Sequence, residues 1–287
     1  MIDISKNEFW FVTGSQHLYG DETLKQVDDH SSTMVSELAA KLPCRLVWKP
    51  VLTGPVAILD LMRAANSDPA CVGIITWMHT FSPSKMWIAG FSELAKPMCH
   101  LHTQYNRDIP WGGIDMDFMN LNQSAHGDRE HGFIGARMRL PRKVVVGFWR
   151  DPAVIGRIGG WMRAASAFAD GKKMKVARFG DNMREVAVTE GDKVEAQIQF
   201  GWSVNGYGVG ELASAAAAVS DPDIARVVKE YAELYEIAAD ALSGEGAQRV
   251  REQARIEIAM RGFLEKGGFG AFTTTFEDLH GLPQLPG

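Results

Sequence analysis

With 287 residues, 46% of them hydrophobic and 23% charged, the chain can bury sizeable cores, and its length favours two domains over one. Its 30 basic and 35 acidic residues leave a net charge of −5 and no basic field for a phosphate backbone, so nucleic acid is excluded as an expected partner. No apolar run is long enough to cross a bilayer, and the opening "MIDISKNEFW" lacks the charged-then-apolar build of a signal peptide, so a cytoplasmic protein with no membrane partner is expected.

Short apolar runs alternate with longer amphipathic ones through the first 170 residues. The pattern predicts a strand over Phe9 to Thr13, a helix over Glu22 to Lys41, a strand over Arg45 to Trp48 and a helix over Pro55 to Ala65. A strand from Val72 to Trp77, a helix near Ser84 to Leu94 and a strand from Cys99 to Thr103 follow. Helical stretches around Met116 to Asn122 and Glu130 to Arg139, a strand from Val144 to Gly147 and a helix from Asp151 to Phe168 complete the series. Val- and Ile-rich strands separated by helices call for a parallel sheet covered on both faces, so residues 1–170 are expected to form a doubly wound α/β domain.

"ADGKKMK" at 169 to 175 interrupts the apolar pattern and marks the expected boundary. Residues 171–287 read as a second α/β domain, with strands at Val176 to Phe179, near 203 and at Ala271 to Phe276. Glu185 to Phe200 fits either a hairpin or a turn followed by a helix near Gly191. Helices over Asp221 to Ala239, with "SDPD" as cap and first turn, and over Gln248 to Lys266 are joined by the loop "LSGEGAQ". The closing stretch "AFTTTFEDLHGLPQLPG" is a strand and then a loop punctuated by Gly281, Pro283 and Pro286. A sheet of so few strands is poorly covered, and the expectation is of a second domain that is incomplete in this chain.

In open α/β sheets, ligands gather where loops leave the C-terminal strand ends. Those loops here are "GSQHLYG" (14 to 20), "MHTFSPSK" (78 to 85), "QYNRDIPW" (104 to 111) and "GDNMRE" (180 to 185), rich in amides, imidazoles and aromatic rings. Amides donate and accept as sugar hydroxyls require, and aromatic faces suit the C–H surface of a sugar. The same residues also serve as ordinary turn chemistry. No GxGxxG or GxxxxGK[ST] spacing is present, which argues against nucleotide phosphates, and neither GxSxG nor HExxH occurs.

Cys44, Cys71 and Cys99 lie at or inside apolar strands without CxxC spacing and are expected to be buried, reduced and structural. His100 and His102 share a strand face, but a third and fourth metal ligand cannot be named beside them. In "HGDREH" His126 precedes Glu130 by four residues, and it follows Gln123 by three, so a helix or turn presents His126 and Gln123 together as hydrogen-bonding groups. Asp115 and Asp117 fit the opening of a helix, where they complement its dipole.

Five stretches carry a resemblance. "FWFVTGSQHLYGDETL", "WMHTFSPSKMWI", "PWGGIDMDFMNLNQSAHGDREHGFIGARMR", "VARFGDNMREVAVTEGDKVEAQIQFGWSVN" and "GGFGAFTTTFEDLHGLPQLPG" resemble the bacterial L-arabinose isomerases, in order and at matching spacing over essentially the whole chain. The resemblance implies an N-terminal and a central α/β domain, with a C-terminal domain that this chain lacks. It implies an intramolecular oxidoreductase that converts L-arabinose to L-ribulose, often also D-galactose to D-tagatose, through an enediol with Mn²⁺ as cofactor.

The family's two glutamates and two histidines that supply the acid/base groups and metal ligands lie downstream of the matching stretch, so no catalytic residue and no metal ligand is carried over. What is carried over is a substrate wall: Gln16 and Leu18, Phe81, Gln123 and His126, Met183, and Phe276. The resemblance further implies a homo-oligomer with its site at a subunit interface. The chain is then either an isomerase chain inactive alone, or a non-catalytic sugar-binding or assembly module. A third reading recruits His126, Glu130, His131, Glu277 or His280 as replacement metal ligands and requires those groups to converge.

Overall fold

The computed structural model describes residues 3–284, so Pro286 of the closing loop lies outside the described residues. The chain divides into two compact units, Met1–Ala169 and Asp170–Gly287.

The first unit is built on strands β1 (Glu8–Gly14), β2 (Arg45–Trp48), β3 (Cys71–Met78), β4 (Met98–His102) and β5 (Arg142–Val146). All pair in parallel, in the order β2-β1-β3-β4-β5. The helices are α1 (Gly20–Ala39), α2 (Pro55–Ser67), α3 (Ile88–Glu93), α4 (Met116–Leu121), α5 (Ser124–Arg137) and α6 (Pro152–Gly171).

Strand alternation sorts the core into two layers. Phe9 and Phe11 face one side with Ile75, Trp77, Cys99 and Leu101, where Met34, Val35 and Leu38 of α1 and Val154, Ile158 and Met162 of α6 pack. Trp10 and Val12 face the other, with Ile74, Met78 and Met98, against Ile58 and Met62 of α2 and Phe91 of α3. Helices therefore cover both faces, the doubly wound arrangement that the Val- and Ile-rich runs predict. The central strands β1 and β3 are buried almost end to end, whereas the edge strand β5 keeps most of its residues partly or fully exposed. All three cysteines are free and buried, as expected.

The second unit pairs β6 (Lys175–Phe179), β7 (Ser203–Tyr207) and β8 (Ala271–Thr274) in parallel, with β6 in the middle. Its helices are α7 (Lys193–Phe200), α8 (Val209–Ala217), α9 (Asp221–Leu234) and α10 (Gly244–Gly267). Ala177 and Phe179 of β6 point toward Leu212 and Ala216 of α8 and Ala259 and Met260 of α10.

Several element boundaries differ from expectation for local reasons. The helix near Ser84 is a 3-10 turn over Ser84–Trp87 that feeds α3, and α5 starts at Ser124, six residues before the predicted Glu130. Ala169, Asp170 and Gly171 finish α6 instead of interrupting the chain. The stretch from Glu185 to Phe200 is a 3-10 turn over Ala187–Thr189 followed by α7, which Asp192 caps by accepting from the Glu195 N–H. α9 ends at Leu234, five residues short of Ala239, and α10 begins at Gly244 inside the predicted loop. β8 ends at Thr274, which places Phe276 in a short 3-10 turn, Phe276–Asp278, and not in a strand. Asp115 caps α4 by accepting from the Phe118 N–H, the structural role its position suggests.

Candidate functional site

The strand order turns around between β1 and β3, since the chain leaves β1 for β2 on one side and returns to β3 on the other. At such a switch point the loops diverge and leave a crevice. Across it Ser15 and Thr80, both buried, hydrogen-bond through their hydroxyls at 2.7 Å. Buried tryptophans tie the neighbouring loops down by their indole N–H groups: Trp77 donates to Thr103 O, Trp87 to Ser82 Oγ and Trp149 to Tyr105 O.

The start of α5 is fastened to this rim. The Gln123 N–H donates to His79 O at 2.9 Å, and Gly127 brings the helix close to the loop after β3. A Cβ at Gly127 would stand 2.7 Å from the Thr80 carbonyl oxygen, so the approach requires glycine. One residue earlier, His126 sets its ring edge-on to Phe81 at a centroid distance of 4.6 Å.

Gln123 and His126 line a cavity of about 730 Å³ together with Gln104, Asn106, Arg107 and Trp111. That volume lies within the range of small-molecule sites. Its polar groups include amides, an imidazole and a guanidinium, and the rest of the wall, with Ile109, Ile114, Met116, Phe118 and Met119, is largely apolar. Gln16 and Leu18 are not among its lining residues, and Leu18 is 83% exposed. In the same loop His17 hydrogen-bonds Thr53 at 2.9 Å and Gly20 takes a φ of +80°, so part of "GSQHLYG" is turn chemistry.

The second unit has its own cavity, of about 550 Å³, lined by Met183 and Phe276 with Arg178, Asp181, Thr189 and Trp202. The loop bearing Met183 is latched to the turn bearing Phe276. Asp278 accepts from the Asp181 N–H at 2.9 Å and Glu277 from the Arg184 N–H at 2.8 Å. Gly180, with φ +81°, allows this, because a Cβ there would meet Asp278 Cβ at 2.8 Å.

The first unit also holds a buried polar layer, of which the sequence singles out His100 and His131 but not their partners. His30 Nδ1 and His79 Nε2 are 2.7 Å apart, with Tyr105 stacked on His30 and Trp77 on His79. Burial pushes His79 down to about 3 and lowers His30 as well, so both rings are neutral at pH 7 and one donates to the other. His100 Nε2 lies 2.7 Å from Asp128 Oδ1, and His131 Nε2 lies 3.1 Å from Thr76 Oγ1. Burial drives Asp128 well above the carboxylate range, His100 down to about 4 and His131 well below its usual value, which favours a shared proton over a charged pair. His30 and His79 are 49 positions apart and carry no motif. Only the polar run of "HGDREH" hinted at Asp128.

Among the described residues no three His, Cys, Asp or Glu side chains converge to hold a metal ion. His100 is committed to Asp128, while His102 stands 3.8 Å from the other carboxylate oxygen. His131 is buried among Trp87, Phe91 and His100, whereas His126 faces the cavity, so α5 does not gather replacement ligands. The described residues do not fit a Mn²⁺ site.

Fold and cavities define a two-unit α/β protein, doubly wound in its first unit, where a cavity has amides, an imidazole and an indole in its wall. The chain belongs to the L-arabinose isomerase family: residues 3–173 match its N-terminal domain and residues 175–287 its central domain. It is 61% identical to the L-arabinose isomerase of Geobacillus thermodenitrificans, 62% to that of Anoxybacillus flavithermus and 59% to that of Koribacter versatilis, over 100% of this chain in each case. The chain spans 58% of the length of these relatives. No helix among the described residues is long and apolar enough to cross a membrane.

Proposed function

We propose that this chain is the substrate-binding part of an L-arabinose isomerase, which converts L-arabinose to L-ribulose by way of an enediol, with D-galactose as a second substrate. The observation that carries the reading is the cavity holding Gln123 and His126 in a chain about 60% identical, over its whole length, to proteins of that name.

Within that reading, Gln123 and His126 bind and orient sugar hydroxyls and Phe81 holds the imidazole in place from its edge, while Met183 and Phe276 line the second unit's own cavity. In a homo-oligomer Gln16 and Leu18, at the first βα loop, face a neighbouring copy's catalytic residues, as do the other pocket residues of the first unit. The exposed Trp111, Met116 and Met119 on the same side as the cavity support an interface there. Mn²⁺, were it bound, would supply Lewis-acid chemistry. Its ligands and both proton-transferring carboxylates come from outside these 287 residues, so this chain alone does not turn over. A cytoplasmic location fits a sugar-metabolising enzyme with this composition.

The test is a fusion of this chain to the remaining C-terminal part of the Geobacillus thermodenitrificans relative, assayed for L-ribulose with Mn²⁺ beside the unfused chain. Ketose formation by the fusion alone is expected. A folded, metal-loaded fusion without activity would overturn the assignment, and metal-dependent activity of the unfused chain would overturn the placement of the chemistry outside it.

A further inference from the structure

The ends of β4 and β5 and the first turn of α5 enclose a smaller cavity of about 260 Å³, whose lining includes His102, Gln104, Arg107, Ser124 and Gly147. That volume falls below the range of drug-sized sites, so it suits one compact group and not a whole sugar. Ser124, the first residue of α5, is 2% exposed, and its Oγ has no hydrogen-bond partner. A buried hydroxyl left unpaired is costly, and one that lines a cavity is satisfied when a ligand there accepts from it.

α5 is 14 residues long, so its N-terminus carries the positive end of a helix dipole. Gln123 O accepts from the His126 and Gly127 N–H groups at 3.0 and 2.8 Å, while the amides of Ser124 and Ala125 precede the helix's own ladder. The Arg107 guanidinium adds charge, partly offset by Asp151 at 3.2 Å. His102 adds a further nitrogen, with the Asp128 carboxyl 3.8 Å away. The helix terminus with its hydroxyl and the guanidinium-bearing residue thus border one cavity, and a tetrahedral oxyanion can accept from such donors.

We propose that this cavity is a phosphate-binding subsite, in which Ser124 and the α5 N-terminus hydrogen-bond the oxyanion and Arg107 balances its charge. The ligand is either free phosphate or the phosphate group of a phosphorylated sugar.

The subsite is tested by amide NMR of the uniformly ¹⁵N-labelled chain, titrated at constant ionic strength with inorganic phosphate, with a pentose 5-phosphate and with chloride as control. Saturable shifts at the amides of Ser124, Ala125 and Gly147 are expected with phosphate and not with chloride. Ser124→Ala and Arg107→Gln are each expected to weaken the binding by about tenfold, the loss of one charge-assisted hydrogen bond. Arg107 is exposed, so its variant keeps the test valid should the buried Ser124 variant fold poorly. Tighter binding of the pentose phosphate, with added shifts at Asn120 and His126, assigns the sugar-borne group, and tighter binding of inorganic phosphate assigns the free ion. Absence of saturable shifts, or shifts undiminished in both variants, overturns the proposal.

Discussion

His126 stands edge-on to Phe81, ring planes at 88° and centroids 4.6 Å apart, in a protein whose α5 begins only two residues earlier. The contact fixes the imidazole by packing and leaves its nitrogens free for a ligand in the adjoining cavity. In the fused, complete enzyme His126→Ala is therefore expected to raise KM for L-arabinose about tenfold, with kcat less affected. Phe81→Ala is expected to act in the same direction more weakly. Steady-state kinetics alongside a Mn²⁺ titration check this. A loss of metal affinity with KM unchanged would show that His126 does not bind the sugar.

The buried histidine layer makes the first unit acid-sensitive. His79 has a folded value of about 3 against 6.5 for the free side chain, so the unfolded chain takes up the proton first. Its contribution to stability is complete above pH 6.5 and is lost as the pH falls toward 3. At pH 5, 1.5 units below the unfolded value, the loss from this one group is about 2 kcal/mol at about 1.4 kcal/mol per unit. His30, His100 and His131 act in the same sense, while the raised Asp128 acts in the opposite sense and offsets part of the effect. Denaturant melts followed by tryptophan fluorescence should show stability falling from pH 7 to pH 5, with a shallower fall in His79→Gln. A pH-independent midpoint over that range rules the account out.

Much of the scaffold was legible because it rests on pattern. Arg45–Trp48 was read to the residue, and the other strands of the first unit to within about two, since β-rich apolar runs bounded by turns have few other uses. The start of α5 was not, because "SAHGDREHG" has two glycines and no apolar period. Tertiary contacts hold it: Gly127 against Thr80, the Gln123 amide on His79 O, and Asp128 on His100. α8 was missed because its run of alanines leaves only Val209 and Leu212 as large apolar residues, too few for a visible period, although Leu212 and Ala216 are buried on Phe179. At the site, the neighbourhood of Gln123 and His126 followed from their three-residue spacing. The pairing of His30, inside α1, with His79, just after β3, depends on tertiary packing and has no local signature.

The two units differ in how much apolar surface they bury. In the first, two extensive clusters flank a five-stranded sheet, while the second relies on Ala177, Phe179, Leu212, Ala216, Ala259 and Met260 around three strands, with a minor cluster at Ile224, Val227 and Ala254. Amide hydrogen exchange on this chain is expected to be slowest in β1 and β3 and faster in β6 by at least tenfold. Phe179→Ala, which removes the largest side chain of the smaller core, should cost about 3–5 kcal/mol in the second unit and leave exchange in β1 unaltered. Equal protection on the two sides of residue 170 would refute the difference.

Glycine-to-alanine changes in two helices should have opposite signs. In α6, Gly156 is exposed and has nothing within 4 Å of a built Cβ, so Gly156→Ala gains helix propensity and should stabilise by about 0.5–1 kcal/mol. In α5 the same gain is available to Gly127→Ala, but the new methyl would lie 2.7 Å from Thr80 O and 3.1 Å from Met78 Cβ. The nearest atom is backbone oxygen, which no rotamer change can move aside, and overpacking of this kind costs about 1–3 kcal/mol. The clash outweighs the propensity, so a net loss of about 1–2 kcal/mol is expected. Relief requires α5 to move outward, which stretches the Gln123 N–H···O His79 bond and withdraws His126 from Phe81, so sugar affinity in the fused enzyme should fall with stability. Urea unfolding of both variants and L-arabinose KM for Gly127→Ala make the comparison. Gly127→Ala as stable as the parent, with KM unchanged, would mean that α5 is not held by its approach to the loop after β3.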